Sequence, residues 1–266
     1  MEVTWLDSNS WLLTLGGQRI LVDPWLVGEL VFGQQSWMFK GEHPQPQPLP
    51  EAIDLILLSQ GLEDHAHPPT LEALDRGIPV VGSPSAAKVA EGLGYSQVTA
   101  LGHGETFTLN QQVTIKAIPG TPLGPLVVEN GYILRDISGD RDAGASLFYE
   151  PHGFHRPELK AEGPVDVVIT PVVDLALPVV GPIIRGQKGA LELVDWLRPQ
   201  VVLPTADAGE VTYSGLLINW LKVVGDAESF QAVIAAKGLS ARVLTPTVGQ
   251  PLPLNLVPHQ PLTTGV

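Results

Sequence analysis

Two short segments hold most of the side chains in this chain that can bind metals or move protons. Asp64, His65 and His67 fall in EDHAH, just after the apolar run DLILLS, and Glu150 and His152 fall in EPHG, just after SLFY. In extended backbone, residues two apart point to the same side. His65 and His67 have that spacing, and so do Glu150 and His152. If the two strand ends face each other, two or three imidazoles and two carboxylates converge. Such a set suits zinc, iron or manganese with positions left open for water. A bound ion lowers the pKa of its water to roughly 7 and supplies hydroxide at neutral pH. Asp64 would then serve the chemistry as well as the ligation, and Glu63 or Asp207 would take the proton. The same residues have plain structural uses. Asp64 could cap the turn or the helix that starts at Pro68, His65 could be a partner of Glu150, and His67, before a proline, could be simply exposed.

Other chemistries find less support. The chain has no cysteine, which excludes disulfides, thiolate nucleophiles and cysteine metal sites. His103 sits in a glycine turn that needs no ligand to explain it. His155 joins His152 only if that turn is helical. His43 in the proline-rich loop and His259 in the tail read as solvated. Ser214 has no His–Asp set that the sequence can attach to it, and no glycine loop of the phosphate-cradling type is present.

The elements that must position these groups follow from apolar patterning. Val3–Leu6, Trp11–Leu15 and Arg19–Val22 read as a strand meander turning at Gly16-Gly17 and ending at Asp23-Pro24. Residues 32–50, rich in Gln and Pro, read as a surface loop in which Trp37, Met38 and Phe39 pack down or cover a site. DLILLS and VDVVIT read as strands buried on both faces. Helices are expected from Pro68 to about Arg76, from Ser83 through Gly94, and over 189–197, 216–224 and 228–237. The stretch 97–118 reads as three strands, and 131–136, 146–149 and QVVLPT as further ones, with edge strands in RVLTP and PLPLNL. Both halves run from a strand meander to helix–strand alternation, which implies two sheets packed face to face with helices outside.

The composition sets outer bounds. With 266 residues, 44% hydrophobic and 16% charged, the chain can bury a large core and is expected to form a single domain. No apolar run has the length of a membrane span, and MEVTWLDSNS is not a signal peptide, so the expected location is cytoplasmic with no membrane partner. A formal charge of −13 disfavours nucleic acid as a partner. A small-molecule substrate or ligand is expected, and a homo-oligomer is compatible with the sequence.

Three segments together carry a resemblance. VTWLDSNSWLLTLGGQRILVDPW resembles the opening of the metallo-β-lactamase superfamily, and IDLILLSQGLEDHAHPPTL resembles its signature of an apolar strand followed by Ser or Thr and His-x-His-x-Asp-His. SLFYEPHG with VDVVITPVVD resembles the later strand that carries a bridging carboxylate. The nearest look is to the branch containing L-ascorbate-6-phosphate lactonase and its cyanobacterial and plastid relatives. The resemblance implies an α/β fold, the four-layer αββα sandwich. It also implies a degenerate metal motif. Gln60 and Leu62 stand where the first two histidines belong, Pro119, Gly120 and Thr121 where a third is expected, and Ala206 at the last. Asp64 and His65 match the second-metal ligands, Glu150 matches the bridging aspartate, His67 and His152 are extra, and Asp207 adjoins the vacated last position. Two functions are implied: a hydrolase-like enzyme with at most one divalent metal (zinc, iron or manganese), acting on an ester, lactone or phosphoester, or a non-catalytic binding or scaffold protein without metal.

Overall fold

The computed structural model describes residues 1–45, 47–124, 126–139, 144–178, 181–206 and 209–257. Asp207 and His259 lie outside the described residues.

Two seven-stranded sheets form the body. In the first, Glu2–Trp5, Trp11–Leu15 and Gln18–Val22 make the antiparallel meander expected from the glycine turn. The sheet then continues in parallel through Leu55–Leu58, Val80–Gly82 and Val98–Ala100, while Pro251–Pro253 closes the other edge. The second sheet repeats this plan. Thr106–Leu109, Val113–Leu123, Val127–Asp136 and Ser146–Tyr149 run antiparallel, followed in parallel by Val167–Thr170, Val201–Pro204 and Arg242–Val243.

The side-chain period of two explains why these short strands are apolar throughout. Leu55, Leu57, Leu147, Tyr149, Val167 and Ile169 face the space between the sheets. Ile56 and Leu58 face outward under α1 (Pro68–Ala73) and α2 (Pro84–Gly92), where they meet Leu71, Ala86 and Ala90. On the other side Phe148 and Val168 pack under α3 (Gly186–Leu197) against Leu193 and Leu197, and Val202 packs against Phe230 and Ile234 of α4 (Ala227–Ala236). The result is the helix–sheet–sheet–helix sandwich that the order of elements implies.

Two segments differ from the sequence reading. The helix expected over 216–224 is a 3-10 turn, Leu216–Trp220, followed by the strand Lys222–Val224. Gly215 and Gly225 bracket this stretch in positive-φ conformations, which limits the helix, and the adjacent β-branched Val223 and Val224 favour extended backbone. The strand pairs with Asp174–Leu177, which also pairs with Gly181–Arg185. The Gln- and Pro-rich stretch is also less irregular than its composition suggests. Its strand Lys40–Glu42 pairs with Thr212–Ser214, and Phe39 packs between Phe32 and Tyr213 at ring distances of 5.3 and 5.6 Å. Trp37, by contrast, remains 64% exposed.

Candidate metal centre

Parallel pairing places the C-terminal ends of neighbouring strands side by side. Gln18–Val22 and Leu55–Leu58 are such neighbours, so the next residues, Asp23 and Ser59, meet. The Ser59 amide donates to Asp23 Oδ1 at 2.7 Å, and the Ser59 hydroxyl donates to Oδ2. Tyr149, last in its strand of the opposite sheet, reaches across the sandwich and donates its hydroxyl to Asp23 Oδ2 at 2.6 Å. Asp23 is fully buried, with a backbone φ of 42° that carries the chain sharply out of the sheet.

The same carboxylate holds His65. The chain turns tightly after Ser59, with the amides of His65 and Ala66 both donating to the Leu62 carbonyl. This turn brings His65 Nδ1 to 2.7 Å from Asp23 Oδ2 and His65 Nε2 to 3.1 Å from Asp64 Oδ2. From the other sheet, the turn after Tyr149 presents His152, whose ring centre is 5.0 Å from that of His65. Asp64, His65 and His152 each offer one ligand atom, all within 4.8 Å of one another. Gln60 lies with its amide nitrogen 3.4 Å from His152 Nδ1.

The electrostatics of the cluster follow from burial and neighbouring charge. Burial alone would push the His65 imidazole down, but the Asp64 and Asp23 carboxylates outweigh it and hold the ring up to about 10. Burial, reinforced by the His65 charge, pushes His152 down to about 3. Burial would raise Asp64, but the His65 charge beside it wins and lowers it.

The donor set can be tested against a metal ion on these atoms alone. Asp64 Oδ1 and Gln60 Oε1 are buried without a hydrogen-bond partner, a costly state for polar atoms in a protein interior, and His65 Nε2 has the Asp64 carboxylate beside it at 3.1 Å. One carboxylate and two imidazoles suit one zinc or iron ion with further positions for water. Asp23 on the far nitrogen of His65 supplies the outer carboxylate that usually orients a ligating histidine. The residues therefore fit one divalent ion. Among the described residues there is no second cluster of this kind.

The remaining sequence candidates have other surroundings. His67 caps the start of α1, with Nδ1 3.0 Å from the Thr70 hydroxyl and Nε2 3.2 Å from the Glu29 carbonyl, so both nitrogens are engaged away from the cluster. Burial pushes its pKa down. Glu150 is buried, and its oxygens accept from the Thr121 hydroxyl at 2.6 Å and from the amides of His152 and Phe154 at 3.1 and 2.8 Å. Burial pushes Glu150 up to about 7, against these donors, which favour its charged form. Thr121 thus spends its hydroxyl on Glu150. Glu63 is half-buried, with Oε1 3.4 Å from the Gly33 amide. Leu62 is 36% exposed. His43, expected in solvent, is buried against Trp25 at a ring distance of 4.5 Å.

Asp23, Ser59 and Tyr149 join the site although none is a ligand candidate in the sequence, where Gln60 and Thr121 stand only at expected histidine positions. The signals for the first two were the Asp-Pro that ends the meander and the polar residue closing an apolar strand.

A family model described as "Beta-lactamase superfamily domain" matches residues 2–206. A UPF0173 metal-dependent hydrolase of Halobacterium salinarum is 26% identical over 225 residues, covering 77% of this chain and 82% of the relative. Another UPF0173 metal-dependent hydrolase, from Pyrococcus furiosus, is 26% identical over 264 residues, covering 96% and 100%. Among solved structures, Igni18, a metallo hydrolase from Ignicoccus hospitalis, superposes with a TM-score of 0.65 at 18% identity, covering 94% of this chain and 97% of that one.

Proposed function

The chain belongs to the β-lactamase superfamily domain family, with the metallo-β-lactamase fold, and on that premise we propose that it is a hydrolase with a single-metal centre held by Asp64, His65 and His152. The observation that carries this reading is the convergence of Asp64, His65 and His152, each with one ligand atom within 4.8 Å of the others, where Asp64 Oδ1 is buried without a hydrogen-bond partner. A divalent ion held there supplies a water of lowered pKa. The chain's own residues do the rest. Asp23 fixes the His65 ring through Nδ1 and turns Nε2 to the cluster. Gln60 lies against His152 Nδ1, leaving that ring's Nε2 for the ion. Glu63, half-buried on the same turn as Asp64, is the proton acceptor this reading assigns, with Asp207 its alternative. The substrate class is an ester, lactone or phosphoester, since each is cleaved by an activated water with no further cofactor.

The test is elemental analysis after metal-free purification and add-back of zinc, iron and manganese. About one equivalent of one of these per chain is expected, with uptake lost in Asp64→Ala and His152→Ala. No stoichiometric uptake of any of the three overturns the proposal.

A second reading, a non-catalytic binding or scaffold protein, is favoured by one feature. His65 lies between two carboxylates, and Glu150 is held by a hydroxyl and backbone amides, so much of the cluster is satisfied without an ion. This reading expects Asp64→Ala to change stability and no activity. A metal-dependent rate that falls more than about tenfold in Asp64→Ala would refute it.

A further inference from the structure

The turn that carries His152 continues into a cavity of about 490 Å³, a volume within the range of small-molecule sites. Residues 153–155 line one side, the paired strands Asp174–Leu177 and Gly181–Arg185 a second, and the first turns of α3 a third. The His155 side chain is only 3% exposed. Its Nε2 faces the acceptor-only Glu192 carboxylate at 3.3 Å, so the single N–H of the neutral ring belongs there, and Nδ1 is an acceptor buried without a hydrogen-bond partner.

The charges on the walls indicate the occupant's chemistry. Asp174 Oδ1 accepts the Gln187 amide at 3.1 Å, and Glu192 is flanked by His155 and by Lys188 at 3.8 Å. Both acids are therefore engaged. The Arg185 guanidinium, in contrast, lies over the Phe154 ring at 4.9 Å and pairs with no carboxylate among the described residues. Leu175, Pro182 and Ile184 supply apolar wall beside it.

We propose that this cavity binds a small carboxylate on an apolar body, its carboxylate held by the Arg185 guanidinium and its body against Phe154 and Ile184. A planar guanidinium suits a carboxylate through paired N–H donors. A dianionic phosphate is the poorer fit, because Asp174 and Glu192 line the same space and repel a second negative charge. The proposal goes beyond the hydrolase reading and does not depend on it, since no wall residue is a candidate metal ligand.

The experiment is a calorimetric titration of the full chain with benzoate, and in parallel with benzamide and inorganic phosphate. Saturable benzoate binding in the millimolar range is expected, with benzamide and phosphate each weaker by about tenfold or more. Arg185→Gln should weaken benzoate about tenfold while the far-ultraviolet circular dichroism stays that of the parent. If Arg185→Gln does not fold, Arg185→Met carries the same test. Absence of saturation by about 50 mM, equal binding of benzamide, tighter binding of phosphate, or undiminished binding by the folded variant overturns the proposal. Each outcome is read without metal, so it stands apart from the uptake experiment on the Asp64 cluster.

Discussion

Asp23 is the residue on which the candidate centre turns. One buried carboxylate accepts from Ser59, Tyr149 and His65 and so ties two strands of one sheet to a strand of the other. Replacing it leaves buried donors and a charged imidazole without their partner. Asp23→Ala should therefore cost about 3–5 kcal/mol, and Tyr149→Phe, which removes one donor, about 1–2 kcal/mol, both measured by denaturant unfolding. A Tyr149→Phe variant as damaged as Asp23→Ala would show that the tie between the sheets, not the carboxylate, matters most. At this scale the sequence was readable where residue type restricts chemistry: an Asp-His pair after a buried strand is a ligand candidate in any context. It was opaque where the outcome depends on which atoms lie nearby. His67 has the right type and spacing, yet Thr70 and the Glu29 carbonyl take both its nitrogens. Glu150 likewise meets Thr121, a contact between positions 29 apart in the chain that no local pattern announces.

At the scale of elements, the turn of residues 150–154 decides where His152 sits. Gly153 makes this turn possible: its φ is +76°, and a Cβ there would lie 2.2 Å from the Arg185 carbonyl oxygen. Gly153→Ala should thus displace the turn, lower stability by about 1–3 kcal/mol and weaken metal uptake, whereas Gly92→Ala, in open space at the end of α2, should do neither. Unfolding midpoints and metal content of the two variants make the comparison. The α2 helix offers a second check. Ser83 accepts the Ala86 amide at its N-terminus, so Ser83→Ala should cost about 1 kcal/mol. Elements were legible where apolar period and punctuation agree, as in α2 and the first meander. The stretch 216–224 is ambiguous in sequence because its apolar residues fit either a helix or a strand, and only its pairing with Asp174–Leu177 decides between them.

For the whole molecule, the two sheets share one interior, and the site lies where strand ends from both sheets meet. That geometry is legible in the sequence, because each half repeats the order meander, buried strand, helix, and stacking the halves is the way to bury both apolar faces. Leu147, fully buried between the sheets, tests this directly: Leu147→Ala should lower unfolding free energy by about 2–5 kcal/mol. Among the described residues, no helix is long and apolar enough to cross a membrane. What the whole-chain pattern could not convey is which partners these side chains find. Gln60 faces His152 and Thr121 holds Glu150, which leaves Asp64, His65 and His152 as the group that the proposed reading takes to hold one ion.

The most direct measurement of that claim is an anomalous-difference map from crystals equilibrated in turn with zinc, iron and manganese, collected on both sides of each metal's absorption edge. The account predicts one peak, from one of these metals, within bonding distance of Asp64, His65 and His152. Maps without a peak at those three side chains for any of the metals, or with the peak at Glu150 and His67 instead, would contradict it.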